Sequence, residues 1–158
     1  MNIVLSRIDE RLIHGQVMTA WLALTKAKRI IVVDDEVYND DFLIQVLELA
    51  APSNVEIVIY SAEKMAEKYS SNSDNILTII LFKNPLYVLK LLEYDVKLDK
   101  VDIGNMGAKP NRNKICKSVY ASKSEIELFK KILEKGCKLH IHMLPNDSVK
   151  ELKDYIKI

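Results

Sequence analysis

Glycine is scarce in this chain, with four in 158 residues. None builds a G-x-G-x-x-G or G-x-x-x-x-G-K-[ST] loop, which argues against a dinucleotide or nucleoside triphosphate cofactor. Cysteine is scarcer still. Cys116 and Cys137 stand far apart and outside any metal-type spacing, so they read as two buried thiols in a reducing compartment. Long apolar runs are missing too: stretches such as Ile79 to Phe82 fall far short of the ~20 residues a bilayer requires. The first run, Ile3 to Leu5, meets Arg7, Asp9, Glu10 and Arg11 too soon to act as a signal-peptide core. Nor is there an excess of either charge, since 23 basic and 22 acidic residues leave +1. Neither nucleic acid nor an anionic membrane surface is implied. A cytoplasmic protein is expected.

What the chain does have is alternation. Runs rich in Ile and Val recur at Asn2–Leu5, Arg29–Val33, Val55–Tyr60, Ile76–Phe82, Val101–Ile103, Lys114–Tyr120 and Lys138–Met143, and read as strands. Helical spacing fills the gaps. Phe42, Leu43, Val46, Leu47 and Ala50 follow it before Pro52, and Pro85 sits where a first helical turn tolerates it. Ile126, Phe129, Ile132 and Leu133 repeat it, with Ser122 or Ser124 as cap and Gly136 at the close. Such alternation predicts one α/β domain over residues 1–158: an open, mostly parallel twisted sheet of six or seven strands with helices on both faces. The segment Gly104 to Asn113 is too short for a crossover helix, so one antiparallel strand near the sheet edge is expected.

In open α/β sheets ligands gather beyond the carboxyl ends of the strands. The residues following the strands are therefore the candidates: Arg7, Asp9, Arg11 and His14; Asp34, Asp35 and Glu36; Ser61 and Glu63; Lys83 and Asn84; Gly104, Asn105, Met106 and Gly107. A receiver-type phospho-aspartate site fails, because "IYSAE" offers no aspartate after the third strand. The first group is the densest. A helix starting near Gly15 and running through Gln16 and Val17 places His14 beside free backbone amides, where the helix dipole favours an anion. Arg7 and Arg11 add forked donors suited to phosphate oxygens. Asp9 can orient the imidazole or hold an arginine. These residues describe a histidine able to take and hand on a phosphoryl group, although spacing alone leaves Arg7 and Arg11 open as surface ion-pair partners of Asp9 and Glu10.

The segment "RIDERLIHGQV", followed by Trp21, closely resembles the N-terminal motif of the enzyme IIB subunits of the bacterial sugar phosphotransferase system, mannose/fructose/sorbose family. The resemblance continues through "RIIVVDDEV", "AAP", "LFKNP", "VDIGNMG" and "KSVY" to the segment around Met143–Asp147. It implies a transferase in which His14 accepts phosphate from a phosphohistidine on a IIA partner. The phosphoryl group then passes to a sugar hydroxyl during uptake through IIC/IID membrane subunits. It implies that Arg7, Arg11 and the first-turn residues Gly15 and Gln16 bind phosphate, with Asp9, Lys83, Asn84 and Asn105 in support. No cofactor and no metal are called for, and the protein is expected to be cytoplasmic but peripherally associated with the sugar transporter. The site is expected to be shallow and ringed by apolar residues that dock partners, with Leu12, Ile13 and Met18 as candidates; for Met18 a core position fits at least as well. The sugar and the oligomeric state stay open.

Two other readings compete. One is an idle relative acting as a regulator or binding module, which has no need of His14 with both arginines. The other is an unrelated α/β enzyme using His14 as general base, which needs a deep pocket and a second titrating partner. Elsewhere, His140 and His142 share one strand face, expected to be a solvated sheet edge and not a metal pair. Trp21 is expected to anchor the core.

Overall fold

The computed structural model describes residues 1–72 and 74–157. The chain runs β1 (Asn2–Asp9), α1 (Gly15–Thr25), β2 (Arg29–Val33), α2 (Asp35–Tyr38), α3 (Asp41–Leu49), β3 (Glu56–Tyr60), α4 (Ala62–Ser71) and β4 (Leu77–Phe82). It continues through α5 (Pro85–Glu93), β5 (Lys100–Asn105), β6 (Asn113–Cys116), β7 (Val119–Ala121), α6 (Lys123–Glu134), β8 (Lys138–Ile141) and β9 (Lys150–Glu151). The β-branched runs become the inner strands because both of their faces are covered. All five residues of β2 are buried, as are Thr78 to Phe82 of β4.

One sheet has the order β3-β2-β4-β1-β5-β8-β9, parallel throughout except for β9. Period-two alternation divides its side chains between two cores. Leu5, Ile30, Val32, Ile79 and Leu81 pack beneath α1 and α3 with Met18, Trp21 and Leu47. Ile8, Ile31, Val33, Ile80, Phe82, Val101 and Ile103 pack on the other side against α4, α5 and α6. The helix ends follow their local chemistry. Ser122 and Glu125 form a reciprocal capping box at α6, and Gly136 follows that helix at φ +88°.

Four expectations need correction. The antiparallel edge strand exists, but it is β9; the Gly104–Asn113 connection leads instead into a separate two-stranded hairpin, β6–β7. The run Lys114–Tyr120 therefore breaks into two strands, turning at Lys117 and Ser118. β9 covers β8, so His140 and His142 are partly buried and do not lie on a solvated edge. Finally, only part of the apolar spacing of α3 faces the core: Leu47 is buried while Phe42 and Val46 are exposed. Cys137 is buried and Cys116 partly so, both as free thiols. No helix among the described residues is long and apolar enough to cross a membrane.

Candidate functional site

β1 is flanked by β4 and β5, and the connections leaving its carboxyl end and that of β5 head toward opposite sides of the sheet. That divergence opens the crevice where α/β sheets bind ligands. The loop from Glu10 to His14 lies across it. Glu10 N donates to the Asn105 carbonyl at 3.1 Å, which ties this loop to the end of β5. Leu12 N donates to the Asp9 carbonyl at 2.9 Å and closes a turn that forces Leu12 to φ +54°. For a leucine this conformation is strained by about 1–3 kcal/mol, and burial of its side chain offsets the strain.

His14 is the N-cap residue of α1, in extended conformation, and its side chain does not cap the helix. The first-turn amides at Gly15 and Gln16 are thus left open to another acceptor, and no acidic side chain occupies that turn. Nδ1 of His14 lies 3.3 Å from the Leu12 carbonyl, the contact of a ring protonated at Nδ1. Nε2 is enclosed and has no hydrogen-bond partner. Gly15 follows at φ +38° with nothing near the place a Cβ would take, which leaves room for the imidazole to turn.

Arg11 precedes the histidine by three residues in the same loop, with its side chain 42% exposed. Asp9, almost fully buried, grips it from behind. Oδ1 accepts from Arg11 N at 3.0 Å and Nε at 3.2 Å, and Oδ2 accepts from Nη2 at 3.3 Å. The pair leaves Nη1 outside, a fixed cationic edge. Of the two roles open to Asp9, holding an arginine is the one the geometry shows.

Arg7 is placed differently from its expectation. β1 continues to Asp9, so Arg7 is a strand residue, 1% exposed. Its Nη1 donates to the His142 carbonyl at 2.7 Å and Nη2 to the Met143 carbonyl at 3.2 Å. The guanidinium lies 4.7 Å from the centre of the Trp21 ring, whose Nε1 donates to the same Met143 carbonyl at 2.9 Å. Trp21 is a core anchor, as expected. Burial pushes the Arg7 guanidinium below its ordinary pKa and Arg11 adds to that, while Asp9 and Asp102 oppose it. Arg7 is a buried charge behind the loop.

The remaining candidates divide. Lys83 is exposed and directly follows β4, next to β1. The Asn84 side chain is taken up in capping α5, accepting from Leu86 N at 2.8 Å. Leu12, Ile13 and Met18 are 4%, 6% and 3% exposed; they are core residues and cannot ring a docking surface. A hollow of about 440 Å³ at this end of the sheet is lined by Asn105, Cys116, Lys117, Ile141 and Met143 among others, and not by His14.

Sequence reasoning missed the clasp that fixes the neighbouring loop. Arg112 bridges Glu10 at 2.5 Å and Glu125 at 2.6 Å, and also donates to the Gly107 carbonyl. Nothing in "AKPNRNK" announces that an arginine will turn inward. Burial alone would raise the Glu125 carboxyl, but hydrogen bonds from Arg112 and Ser122 more than offset it and hold the group below its ordinary 4.5. A folded value below the unfolded one means that this stabilisation is complete above pH 4.5 and is lost as pH falls through the folded value. Arg112→Met is therefore expected to flatten the acid limb of a stability-against-pH curve measured by urea unfolding.

The family model for the PTS system sorbose subfamily IIB component matches residues 3–158. The chain is 37% identical over 159 aligned positions to the fructose-specific EIIB component of Bacillus subtilis, covering 100% of this chain and 96% of that one. The IIB domain of the sorbose permease of Klebsiella pneumoniae superposes with a TM-score of 0.92 at 33% identity, covering 98% of this chain and 96% of its own. Against the mannose-specific EIIAB component of Escherichia coli K12, identity is 35% over 99% of this chain but 49% of that protein. With its mostly parallel sheet and its uncapped histidine at the start of α1, the chain belongs to the sorbose-type IIB family of the sugar phosphotransferase system.

Proposed function

We propose that His14 is a phosphoryl carrier: it accepts phosphate from a phosphohistidine on a IIA partner and passes it to a sugar hydroxyl during uptake through IIC/IID membrane subunits. The reading is carried by one observation, an uncapped helix start with His14 on it and, three residues before it, Arg11 gripped by Asp9, in a chain of this family. In the first step the lone pair of one His14 nitrogen attacks phosphorus. The donor's P–N bond breaks and its electron pair returns to the donor imidazole. In the second step the sugar oxygen attacks the same phosphorus, the His14 P–N bond breaks, and the hydroxyl proton leaves to solvent.

Neither nitrogen is poised in the resting ring, since Nδ1 faces a carbonyl and Nε2 is enclosed. Transfer therefore includes a turn of the imidazole beside Gly15. Once turned, the phosphoryl oxygens meet the amides of Gly15 and Gln16 and the free edge of Arg11, and Lys83 and Asn105 border the crevice. Such preset donors stabilise charge on the transferring group without reorganising. Arg7 acts through the field it adds behind the loop, and Asn84 by setting the start of α5. A general-base enzyme would need a second titrating partner on the imidazole, and that hydrogen bond goes to the Leu12 carbonyl. A shallow site suits a protein that meets its partners at the cytoplasmic face of a transporter and never binds the sugar alone.

Label supplied from phosphoenolpyruvate through the general phosphotransferase proteins and a cognate IIA tests both steps. Adding membranes bearing IIC/IID and the sugar should empty the label into sugar phosphate; label that stays on the protein would sink the onward half. Arg11→Ala is expected to slow acceptance by roughly 10²–10³-fold, the usual loss for one preset donor.

A further inference from the structure

Asp102 lies directly across from Arg7 in the β1–β5 register and is 1% exposed. Neither of its oxygens receives a hydrogen bond. His142 Nδ1 lies at 3.5 Å and the Lys100 ammonium at 3.8 Å. A buried carboxylate without donors is a liability for stability, so its presence calls for another explanation.

The neighbouring charges provide one. Two arginines, Arg7 and Arg11, converge on Asp9: Arg11 through a full bidentate grip, Arg7 with Nη2 at 3.9 Å from the same Oδ2. One carboxylate cannot grip both. On the basis of the carrier reading, we infer that Asp102 is a positioning residue for phosphoryl transfer, supplying the buried countercharge for Arg7 and so leaving Asp9 to hold Arg11 at His14. Gly104, two residues on and on the same face, completes the slot: it is the strand position where any side chain would displace the guanidinium. The charged and titratable groups around this slot are Arg7 and Asp9 from β1, Lys100 and Asp102 from β5, His140 and the following His142 from β8, and Glu151 of β9, paired to His140 at 3.0 Å.

The test is Asp102→Asn, which keeps shape and removes charge. In the variant Asp9 is drawn to Arg7 and releases Arg11. In ¹⁵N-labelled full-length protein, NMR exchange of the Arg11 Nε proton, assigned with Arg11→Lys, should quicken on the order of tenfold with the loss of a charged hydrogen bond. Circular dichroism should show the fold retained. Acceptance of phosphate from IIA should slow in parallel, with KM for IIA unchanged. The double variant Arg7→Gln/Asp102→Asn removes cation and anion together and should restore slow Arg11 exchange; it also decides the matter if the single variant does not fold. Unchanged Arg11 exchange in Asp102→Asn, or fast exchange in the double variant, overturns the inference. If the wild type takes no phosphate at all, the carrier reading fails while the exchange data still decide what Asp102 does.

Discussion

Replacing His14 with alanine is expected to abolish phosphate acceptance while leaving the fold in place. The chemistry requires a nitrogen lone pair on a side chain that can turn toward a partner, and alanine has none. The fold requires little of this residue. Its ring is only partly buried and makes one long contact, 3.3 Å, to the Leu12 carbonyl. It caps nothing, so α1 loses no capping bond. A stability change of about 1 kcal/mol or less is expected by urea unfolding. The loop should survive as well, because Asp9, Leu12 and Asn105 hold it through bonds that do not involve the imidazole. Label retained by His14→Ala would move the acceptor to His140 or His142.

Gly104→Ala is expected to have the largest effect on stability of any single methyl group added to this site. A Cβ there would stand 1.9 Å from Arg7 Nη2, 2.8 Å from Cζ and 3.3 Å from Asp9 Oδ2. A surface arginine would swing aside. This one is pinned by two main-chain carbonyls and the Trp21 ring, and leaving its place strands the carbonyl of His142 and takes a neighbouring cation from the Asp102 carboxylate, while Met143 keeps only its bond from Trp21. Disrupting a buried charge cluster in this way is expected to cost about 3–5 kcal/mol. For a chain of this size that lowers the melting midpoint by roughly 10 °C or more. Phosphate acceptance should fall with it, since Asp9 is struck by the same methyl and carries Arg11. A loss below about 1 kcal/mol in urea unfolding would show that the slot is looser than the geometry says.

Much of the architecture was legible because the signals were local and periodic. The Ile and Val runs at Arg29–Val33 and Leu77–Phe82 have one natural fate, an inner parallel strand, and Ser122 with Glu125 spells its own capping box. Legibility failed where a residue's role depends on what arrives from far along the chain. The sequence placed Arg7 in the loop because a charge so near the end of an apolar run reads as solvent-facing. It is buried because carbonyls more than 130 residues away come to meet it. Asn84 reads equally well as a ligand or as a cap, and its position before Pro85 decides for the cap. Leu12 and Ile13 sit in a segment full of charges, yet a turn at positive φ tucks both into the core. Gly104 reads as the first residue after the run Val101–Ile103; only the fold extends β5 through it, and a glycine inside a strand then marks a close approach by another group, here Arg7.

In the proposed function one histidine, at the start of α1, carries the phosphoryl group. Heteronuclear NMR of the protein after incubation with phosphorylated IIA addresses it most directly, by correlating phosphorus with the ring atoms of the three histidines. A phosphorus coupling on His14 alone is expected, with a ring rotated away from the Leu12 carbonyl and the Arg11 Nε signal shifted. Phosphorus on His140 or His142, or on no histidine while IIA is demonstrably phosphorylated, would contradict it.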